Sequence, residues 1–476
     1  MTKESSASDK DQPDFDLFSP TDFRYGVPEL KRFLSEEAYV AYKARVEVSL
    51  ARELAAFGVC SHAVAEEIAR AAESVTAAEV YAEEDRIKHD IRALANVIAS
   101  KASERAKPYV HLAATSYDIV DTANAARFRD ALDLVVIPDL LKLENALIEM
   151  TLENSDVVQI GRTHGQHAEP ITFGFHLSYY VSRLGKRILR LKEATNNLSG
   201  KFAGAVGVYG PLSLIVDDPE KFEQALLNSL GLQPSEVSTQ IVQPEPVVDL
   251  MHAIVSTLGV MANFARDMRH LQRSEIAEVA EEFGTAQVGS STMPHKRNPI
   301  NFENVESIWK KFMPQMVTVY LDQISEHQRD LTNSSSQRYL PELIVAFDYC
   351  VRRLTRTIWD SKRNRPRLVV DKENMQRNFE SSKAVISAEP LYILLAVSGH
   401  PDAHEAVRCA VQKSIDEHKS FGEILATDRE LSSHLSKVST ERREILYNLE
   451  RYTGIASKKA RRVALEWRKR LSPESG

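Results

Sequence analysis

Residues 177–191 read LSYYVSRLGKRILRL, and this stretch indicates the fold class. Its apolar residues recur in alternating steps of four and three, which places them on one face of an α-helix packed lengthwise against other helices. They are Leu177, Val181, Leu184, Ile188 and Leu191. Similar seams run from Leu250 to Met268, from Leu140 to Met150 and from Val305 to Phe312, whereas strand-like alternation is scarce. The sequence therefore predicts an all-α fold with a central bundle of long helices.

Glycine and proline are scarce, which also favours long helices. The chain has 18 Gly and 19 Pro in 476 residues, whereas average usage of the two together is about 12%. A single core stops growing at roughly 250–300 residues, so the chain must be subdivided or built on very long elements. We expect a disordered leader over 1–22, an N-terminal helical domain over 23–122, the central helical bundle over 123–363 and a C-terminal helical domain over 364–476. Long thin bundles leave apolar stripes uncovered, so we also expect a homo-oligomer.

Composition and charge exclude several classes of protein. The 60 Lys and Arg against 67 Asp and Glu give a net charge of −7, which argues against a protein that coats nucleic acid. Cys60, Cys350 and Cys409 lie too far apart in sequence for a disulfide framework or a thiolate zinc site. No apolar run reaches the roughly 18 residues of a membrane span. We expect a cytoplasmic protein with no membrane or nucleic-acid partner.

Motifs for cofactors are missing as well. The sequence has no GxGxxG after a strand pattern and no P-loop, and residues 204–210 (GAVGVYG) carry glycines at the wrong spacing for either. We therefore expect neither a nucleotide cofactor nor redox or ATP-driven chemistry.

Residues 289–299, GSSTMPHKRNP, are typical of a loop. We expect it to join a helix ending near Phe283 to one beginning near Ile300. It could be a solvated connector. However, Lys296, Arg297 and Asn298 directly precede the helix start, where cations and free N–H groups can converge on an anionic ligand.

Residues 161–170, GRTHGQHAEP, are typical of a turn that leads into a long helix. His164 and His167 could bind a metal, but a zinc site would need a third ligand from elsewhere in the chain. A histidine in a non-helical turn suits general acid–base chemistry, because its ordinary pKa is near 6.5. We therefore expect no metal at this site.

Two further polar clusters complete the candidate site. Thr115 to Asp118 is rich in hydroxyl groups, and Arg329 to Arg338 places two arginines around hydroxyl and amide side chains. Two arginines in such a setting can clamp a phosphate or a carboxylate. Together the four clusters predict acid–base chemistry on an anionic small molecule.

The same residues resemble a known family. Residues 289–299 are similar to the G-S-S-x-M-P-x-K-x-N-P signature of the fumarase/aspartase superfamily, and within it the chain resembles the adenylosuccinate lyase family from about Phe23 to about Arg408. The further matching segments are Arg24-Tyr25, Lys88-His89-Asp90, Thr115 to Thr122 and Arg329 to Arg338. The resemblance implies the three-domain fold of that superfamily.

It also implies a reaction and an assembly. Members eliminate fumarate from adenylosuccinate, giving AMP, and from the succinyl-carboxamide imidazole ribotide, giving AICAR, in purine biosynthesis. They do so by general acid–base β-elimination. They are homotetramers whose active sites are each shared by three subunits.

The resemblance assigns roles residue by residue. His164 matches the general acid, Ser290 the general base, and Glu303 the carboxylate that orients and charges the histidine. The positions that bind the substrate carboxylate are Thr115, Ser116, Lys296 and Asn298. The phosphate site matches Arg24, Tyr25, Arg329, Ser334 and Arg338, and further nucleotide contacts match His89, Asp90 and Gln240.

Some positions depart from the family pattern. Gln243-Pro244-Glu245-Pro246 replaces a charged Arg-Asp-Arg run, Gln328 replaces a glutamate, and Thr292 replaces an alanine. Thr292 resembles the carboxymuconate cycloisomerase branch, so the alternative is a cycloisomerase or another succinyl or polycarboxylate lyase of this superfamily. That branch does not need a phosphate clamp, and the presence of both arginines with Ser334 favours the adenylosuccinate lyases. A structural, non-catalytic member of the superfamily is the remaining alternative.

Overall fold

A computed structural model describes residues 21–284, 292–293, 296–419 and 421–472. The first half of the chain contains α1 (Thr21–Arg24), α2 (Lys31–Leu34), α3 (Glu36–Ala56), α4 (His62–Glu73), α5 (Ala77–Ile87), α6 (Asp90–Ser100), α7 (Ser116–Ala131), α8 (Ile137–Glu153), α9 (Phe173–Asn196) and α10 (Pro219–Ser229). The second half contains α11 (Glu245–Leu271), α12 (Ile300–Phe312), α13 (Gln315–Leu321), α14 (Leu340–Ile358), α15 (Lys372–Glu380), α16 (Lys383–Ile386), α17 (Ala388–Val397), α18 (Ala403–Asp416), α19 (Phe421–Thr427), α20 (Arg429–Ser436), α21 (Thr440–Tyr447) and α22 (Ala456–Leu471). A π-helical turn, Leu132–Val136, joins α7 to α8. Short 3-10 turns lie at Pro28–Leu30, Lys107–Tyr109, Leu212–Leu214, Ser336–Tyr339 and Leu449–Arg451.

The predicted all-α fold is confirmed, and the four apolar seams are its buried faces. The seam from Leu177 to Leu191 lies on α9, and each of its residues is at most 1% exposed. The seams on α8, α11 and α12 are buried in the same way. Each of these helices buries one continuous apolar stripe, and this packing stabilises the helix along its length. Isolated helices without such packing are marginal in water.

Strands are few and short in the described residues. They form two-stranded sheets from β1 (Val158–Thr163) with β2 (Gln166–Thr172), β3 (Ser199–Gly200) with β4 (Gln233–Pro234), β5 (Val279–Ala280) with β8 (Val369–Val370), and β6 (Trp359–Asp360) with β7 (Arg365–Pro366). The β1–β2 pair is antiparallel and occupies the segment predicted as a simple turn. That prediction was incomplete, because only the two residues between the strands form the turn.

One predicted boundary was also wrong. The helix before the 289–299 loop ends at Leu271 rather than near Phe283, since β5 intervenes. The polar run from Thr115 forms the start of α7, which begins at Ser116. The predicted helix start at Ile300 is confirmed.

The chain divides into two compact units. Unit 1 comprises the described residues of Met1–Leu140, Arg187–Gly259 and Ser307–Arg352. Its N-terminal core is formed mainly by alanine and valine side chains of α3, α4 and α6. Unit 2 comprises the described residues of Leu141–Lys186, Val260–Glu306 and Arg353–Gly476, with a core of its own on α17 to α21. The expected domain limits at residues 22, 122 and 363 stay predictions.

One helix of the described residues, α11, is long and apolar enough to cross a membrane by length and composition alone. However, 67% of its most apolar window is buried inside the structure. Its seam faces protein, as in a core helix.

Candidate active site

His164 lies at the tip of the β1–β2 hairpin in unit 2. Thr163 pairs with Gln166, so His164 and Gly165 form a two-residue loop. Their φ angles are +53° and +76°, as a type I′ hairpin turn requires at both positions. The turn leaves the histidine side chain exposed. The sequence prediction of a non-helical histidine is therefore confirmed, and its position is set by hairpin geometry.

A buried carboxylate, Glu278, anchors this hairpin. It is fully buried and accepts hydrogen bonds from both Nη atoms of Arg162, at 3.2 and 2.5 Å. Gln159 Nε2 donates to it at 2.7 Å, and Asn378 Nδ2 at 2.9 Å. Two of its donors belong to β1, so the buried charge is compensated by the strand that leads to His164.

A second polar cluster continues from Gln159 into the long helices. His176 of α9 lies 3.3 Å from the Gln159 Oε1 atom and 3.3 Å from the Asp267 Oδ2 atom. The Tyr180 hydroxyl also donates to Asp267. Burial raises the pKa of Asp267, but the hydrogen bonds from His176 and Tyr180 outweigh burial and lower it below its usual value. The hairpin is thus connected to α9 and α11 by ionised and hydrogen-bonded groups.

Glu303 lies in the first turn of α12 and is exposed. The nearest ionic partner that the structure gives it is Arg269, with 3.9 Å between Nη2 and Oε1. Within the described part of this single chain, no hydrogen bond joins Glu303 to His164.

The 289–299 loop is described only in part. Lys296 is exposed and Asn298 is half-buried, and both directly precede α12 as predicted. Ser290 lies outside the described residues. Thr292, one of the departures from the family pattern, is exposed.

In unit 1, Thr115 and Ser116 occupy the N-terminus of α7. Thr115 is the N-cap, and its backbone N–H donates to the Asp118 Oδ2 atom at 2.8 Å. The other oxygen, Oδ1, accepts from Lys201 Nζ and from the backbone N–H groups of Ala203 and Gly204, at 3.1 and 3.3 Å. Asp118 and Lys201 are both fully buried. This ion pair therefore fixes the helix end at which an anion would bind.

His89 and Asp90 begin α6. His89 is the N-cap, and its Nδ1 accepts from the Arg92 backbone N–H at 3.3 Å. Lys43 Nζ lies 3.6 Å from Asp90 and 3.8 Å from the centre of the Tyr39 ring. Burial lowers the pKa of Lys43, and Asp90 opposes that shift.

Arg329 is held by two side chains. Its Nη1 donates to Asn333 Oδ1 at 3.0 Å, and its Nη2 donates to the Tyr117 hydroxyl. Its Cζ atom lies 4.0 Å from the centre of the Tyr117 ring. The Nε–H group is buried and has no hydrogen-bond acceptor among the described residues. The guanidinium is therefore fixed while it uses only two of its five N–H donors.

The other predicted nucleotide-site residues also lie in unit 1. Gln240 donates its backbone N–H to the Gln328 carbonyl at 3.3 Å, which ties it to the segment of Arg329. Tyr25 contacts the Tyr349 ring edge-on with 5.1 Å between ring centres. Arg24, Ser334 and Arg338 are exposed.

Sequence reasoning missed the residues that hold the site in place. Lys201, Glu278 and Tyr117 contact partners far away along the chain. The sequence signal nearest to Lys201 is the 204–210 segment, whose glycines match no cofactor motif. Gly207 has φ +78°, and a Cβ there would come within 2.0 Å of the Ser238 carbonyl oxygen. This segment therefore packs closely against the irregular stretch that leads to Gln240.

Comparisons with known proteins identify the family. A family model described as lyase matches residues 24–313. The chain is 36% identical to the adenylosuccinate lyase of Pyrococcus abyssi over 428 residues, which cover 89% of this chain and 92% of the relative. It is 34% identical to the adenylosuccinate lyase of Archaeoglobus fulgidus over 451 residues, which cover 94% of this chain and 98% of the relative. The chain belongs to the adenylosuccinate lyase family of the fumarase/aspartase superfamily.

Solved structures support the fold of this family. The 3-carboxy-cis,cis-muconate lactonizing enzyme from Pseudomonas putida matches with a TM-score of 0.82 and 25% identity, over 95% of this chain and 100% of that one. A fumarate lyase from Mesorhizobium sp. BNC1 matches with a TM-score of 0.80 and 22% identity, over 92% of this chain and 98% of that one. The chain is a lyase by its family, and it has the all-α fold of the superfamily.

Proposed function

We propose that this lyase cleaves adenylosuccinate to AMP and fumarate, and the succinyl-carboxamide imidazole ribotide to AICAR and fumarate, in cytoplasmic purine biosynthesis. The observation that carries the proposal is the fixed, half-buried Arg329 guanidinium, which uses only two of its five N–H donors. An arginine held in this way has donors left for charged hydrogen bonds to a phosphate oxygen. The names of the relatives support the same substrate.

The proposed reaction is a β-elimination. Ser290 removes a proton from the carbon next to a substrate carboxylate, the electrons of that C–H bond form the C=C bond of fumarate, and the C–N bond breaks. His164 gives a proton to the departing nitrogen. The proton and electron balance needs neither an oxidant nor a metal.

Charge that develops on the substrate carboxylate needs donors that are already aimed at it. Lys296 and Asn298 supply a cation and an amide before α12, and Thr115 and Ser116 supply hydroxyl groups and the N-terminus of α7. The fully buried Asp118–Lys201 pair keeps that helix end rigid, as preorganised stabilisation of charge requires.

Glu303 is proposed to orient His164 and to favour its charged form. The two side chains are not hydrogen-bonded within one chain, which is compatible with a homotetramer whose sites combine residues from different subunits. In that assembly Glu303 and His164 come from different copies. Arg24, Tyr25, Ser334 and Arg338 are proposed to complete the phosphate site, with His89, Asp90 and Gln240 contacting the nucleotide.

The direct test is to mix purified protein with adenylosuccinate and to follow fumarate release. We expect turnover that falls at least about 100-fold in Ser290→Ala. Ser433→Ala, which removes an exposed serine of α20, should leave it unchanged. If adenylosuccinate persists while another polycarboxylate is consumed, the nucleotide assignment is wrong. If no substrate of either class reacts, a non-catalytic role gains support.

Arg338→Ala separates the nucleotide lyase from a carboxymuconate cycloisomerase. In the nucleotide enzyme, the KM for adenylosuccinate should rise about 10-fold or more, since a charged hydrogen bond to phosphate is lost. A cycloisomerase should hardly respond to this substitution.

A further inference from the structure

Tyr117 occupies a position that the family signature leaves open, and the signature implies no role for it. It is the second residue of α7, between Ser116 and Asp118. Its hydroxyl accepts from Arg329 Nη2, and its ring lies against the same guanidinium. One tyrosine thus makes both a hydrogen bond and a cation–π contact to one arginine.

These contacts restrict Arg329 before any ligand arrives. A free arginine side chain has several rotatable bonds, and its ordering on binding costs free energy. Asn333, which is only 6% exposed, holds Nη1 from the other side. The half-buried guanidinium is therefore held at both Nη atoms, and it keeps unused N–H donors for an anion.

The protonation state of Tyr117 suits this arrangement. Burial raises the pKa of its phenol, and the nearby Arg329 only partly opposes that effect. At neutral pH the phenol therefore stays uncharged, so it does not neutralise the arginine.

We propose that Tyr117 is a positioning residue that preorganises Arg329 for the 5′-phosphate of the substrate. The inference rests on the proposed function, because Arg329 is assigned to the phosphate there. In this proposal Tyr117, which lies in the first turn of α7, controls the affinity of the site for phosphate.

The test compares Tyr117→Phe, which keeps the ring but removes the hydroxyl, with Tyr117→Leu, which removes both contacts. We expect KM for adenylosuccinate to rise about 10-fold in Tyr117→Phe and further in Tyr117→Leu, with kcat nearly unchanged. KM for succinyladenosine, which lacks the phosphate, should be the same in wild type and Tyr117→Phe. A general loss of structure would affect both substrates equally, and that outcome would overturn the proposal.

A double-mutant cycle shows whether Tyr117 acts through Arg329. In an Arg329→Ala background, the added Tyr117→Phe change should raise KM no further, because the coupled partner is already gone. Independent, multiplicative effects would contradict the proposal. Tyr42→Phe is the matched control, since its half-buried hydroxyl donates to Asp130 at 2.7 Å and its ring contacts Arg45.

Titration with AMP separates this inference from the proposed function. If wild type fails to cleave adenylosuccinate but binds AMP about 10-fold more tightly than Tyr117→Phe does, the reaction is wrong and the positioning role stands. If turnover is normal and AMP affinity is equal in the two proteins, the positioning role is wrong and the reaction stands. Absence of AMP binding by wild type overturns the positioning role as well.

Discussion

Two buried glutamates show how differently one residue type is used in unit 2. Glu278 accepts hydrogen bonds from Arg162, Gln159 and Asn378 and holds the hairpin of His164. Glu144 of α8 is equally buried, but neither of its carboxyl oxygens has a hydrogen-bond partner among the described residues. The charge of Glu278 is compensated by Arg162 and by hydrogen bonds, whereas Glu144 is a polar group in an apolar environment.

Glu144 should make stability depend on pH. Burial raises its pKa well above the usual value, whereas the unfolded chain has a pKa of about 4.3 at this position. Above that pH the unfolded state releases the proton that the folded state keeps, so stability falls as pH rises toward the folded pKa. Glu144→Met removes this penalty, and we expect its advantage in the free energy of unfolding to grow between pH 5 and pH 8, to about 2 kcal/mol.

Denaturant titrations at both pH values measure this difference. Glu149→Met on the same helix is the control, because it removes a half-exposed carboxylate paired with Arg468 at 2.5 Å. It should give no gain at either pH. An equal difference between wild type and Glu144→Met at pH 5 and pH 8 would contradict the titration argument.

At the residue scale, local patterns predicted the chemistry but not its support. His164 and the Lys296 to Asn298 run stand out because they lie in glycine- and proline-containing turns that interrupt long apolar helices. Glu278 and Lys201 do not stand out, since a charged residue in sequence is usually solvated. Their roles depend on partners more than 75 residues away in the chain, which no local pattern records.

At the element scale, helix periodicity predicted α8, α9, α11 and α12 because each buries one continuous apolar stripe. Short strands were missed, since alternation over two to seven residues is too weak a signal. The proline pair at Pro244 and Pro246 is explained by the start of α11 at Glu245. Proline is tolerated in the first turn of a helix, where N–H groups have no intrahelical acceptor.

The His164-Gly165 turn should be sensitive to a single methyl group. A Cβ at Gly165 would meet nothing within 4 Å, but its φ of +76° disfavours alanine. We expect Gly165→Ala to destabilise the fold by about 1 kcal/mol and to lower kcat, because the strained turn shifts His164.

Gly58 offers a matched control for that turn. It follows α3 in unit 1, has φ +78° and also has open space around a Cβ. Gly58→Ala should lower the free energy of unfolding by an amount similar to that of Gly165→Ala, and it should leave kcat unchanged. Equal losses of kcat in the two variants would show that the effect of Gly165→Ala is global rather than local to the hairpin.

At the scale of the whole molecule, an apolar seam lies exposed among the described residues. It runs along α13 and its flanks, where Met313, Val317, Leu321 and Ile324 are 44%, 63%, 62% and 74% exposed. Their spacing of four, four and three matches the buried seams of the long helices. A stripe of this kind marks an interface, and it supports the proposed homotetramer.

A charge on this seam should therefore disrupt assembly. We expect Val317→Lys to shift the particle mass measured by light scattering from four chains toward fewer, since burial of an unpaired ammonium group is strongly unfavourable. Activity should fall with the mass if the sites are shared between subunits. Leu465→Lys on the basic helix α22, where leucine is 52% exposed among charged neighbours, should leave both unchanged. If Val317→Lys has the mass and activity of wild type, the α13 seam is not an assembly surface; a variant that dissociates yet keeps full activity would instead show that each chain carries a complete site.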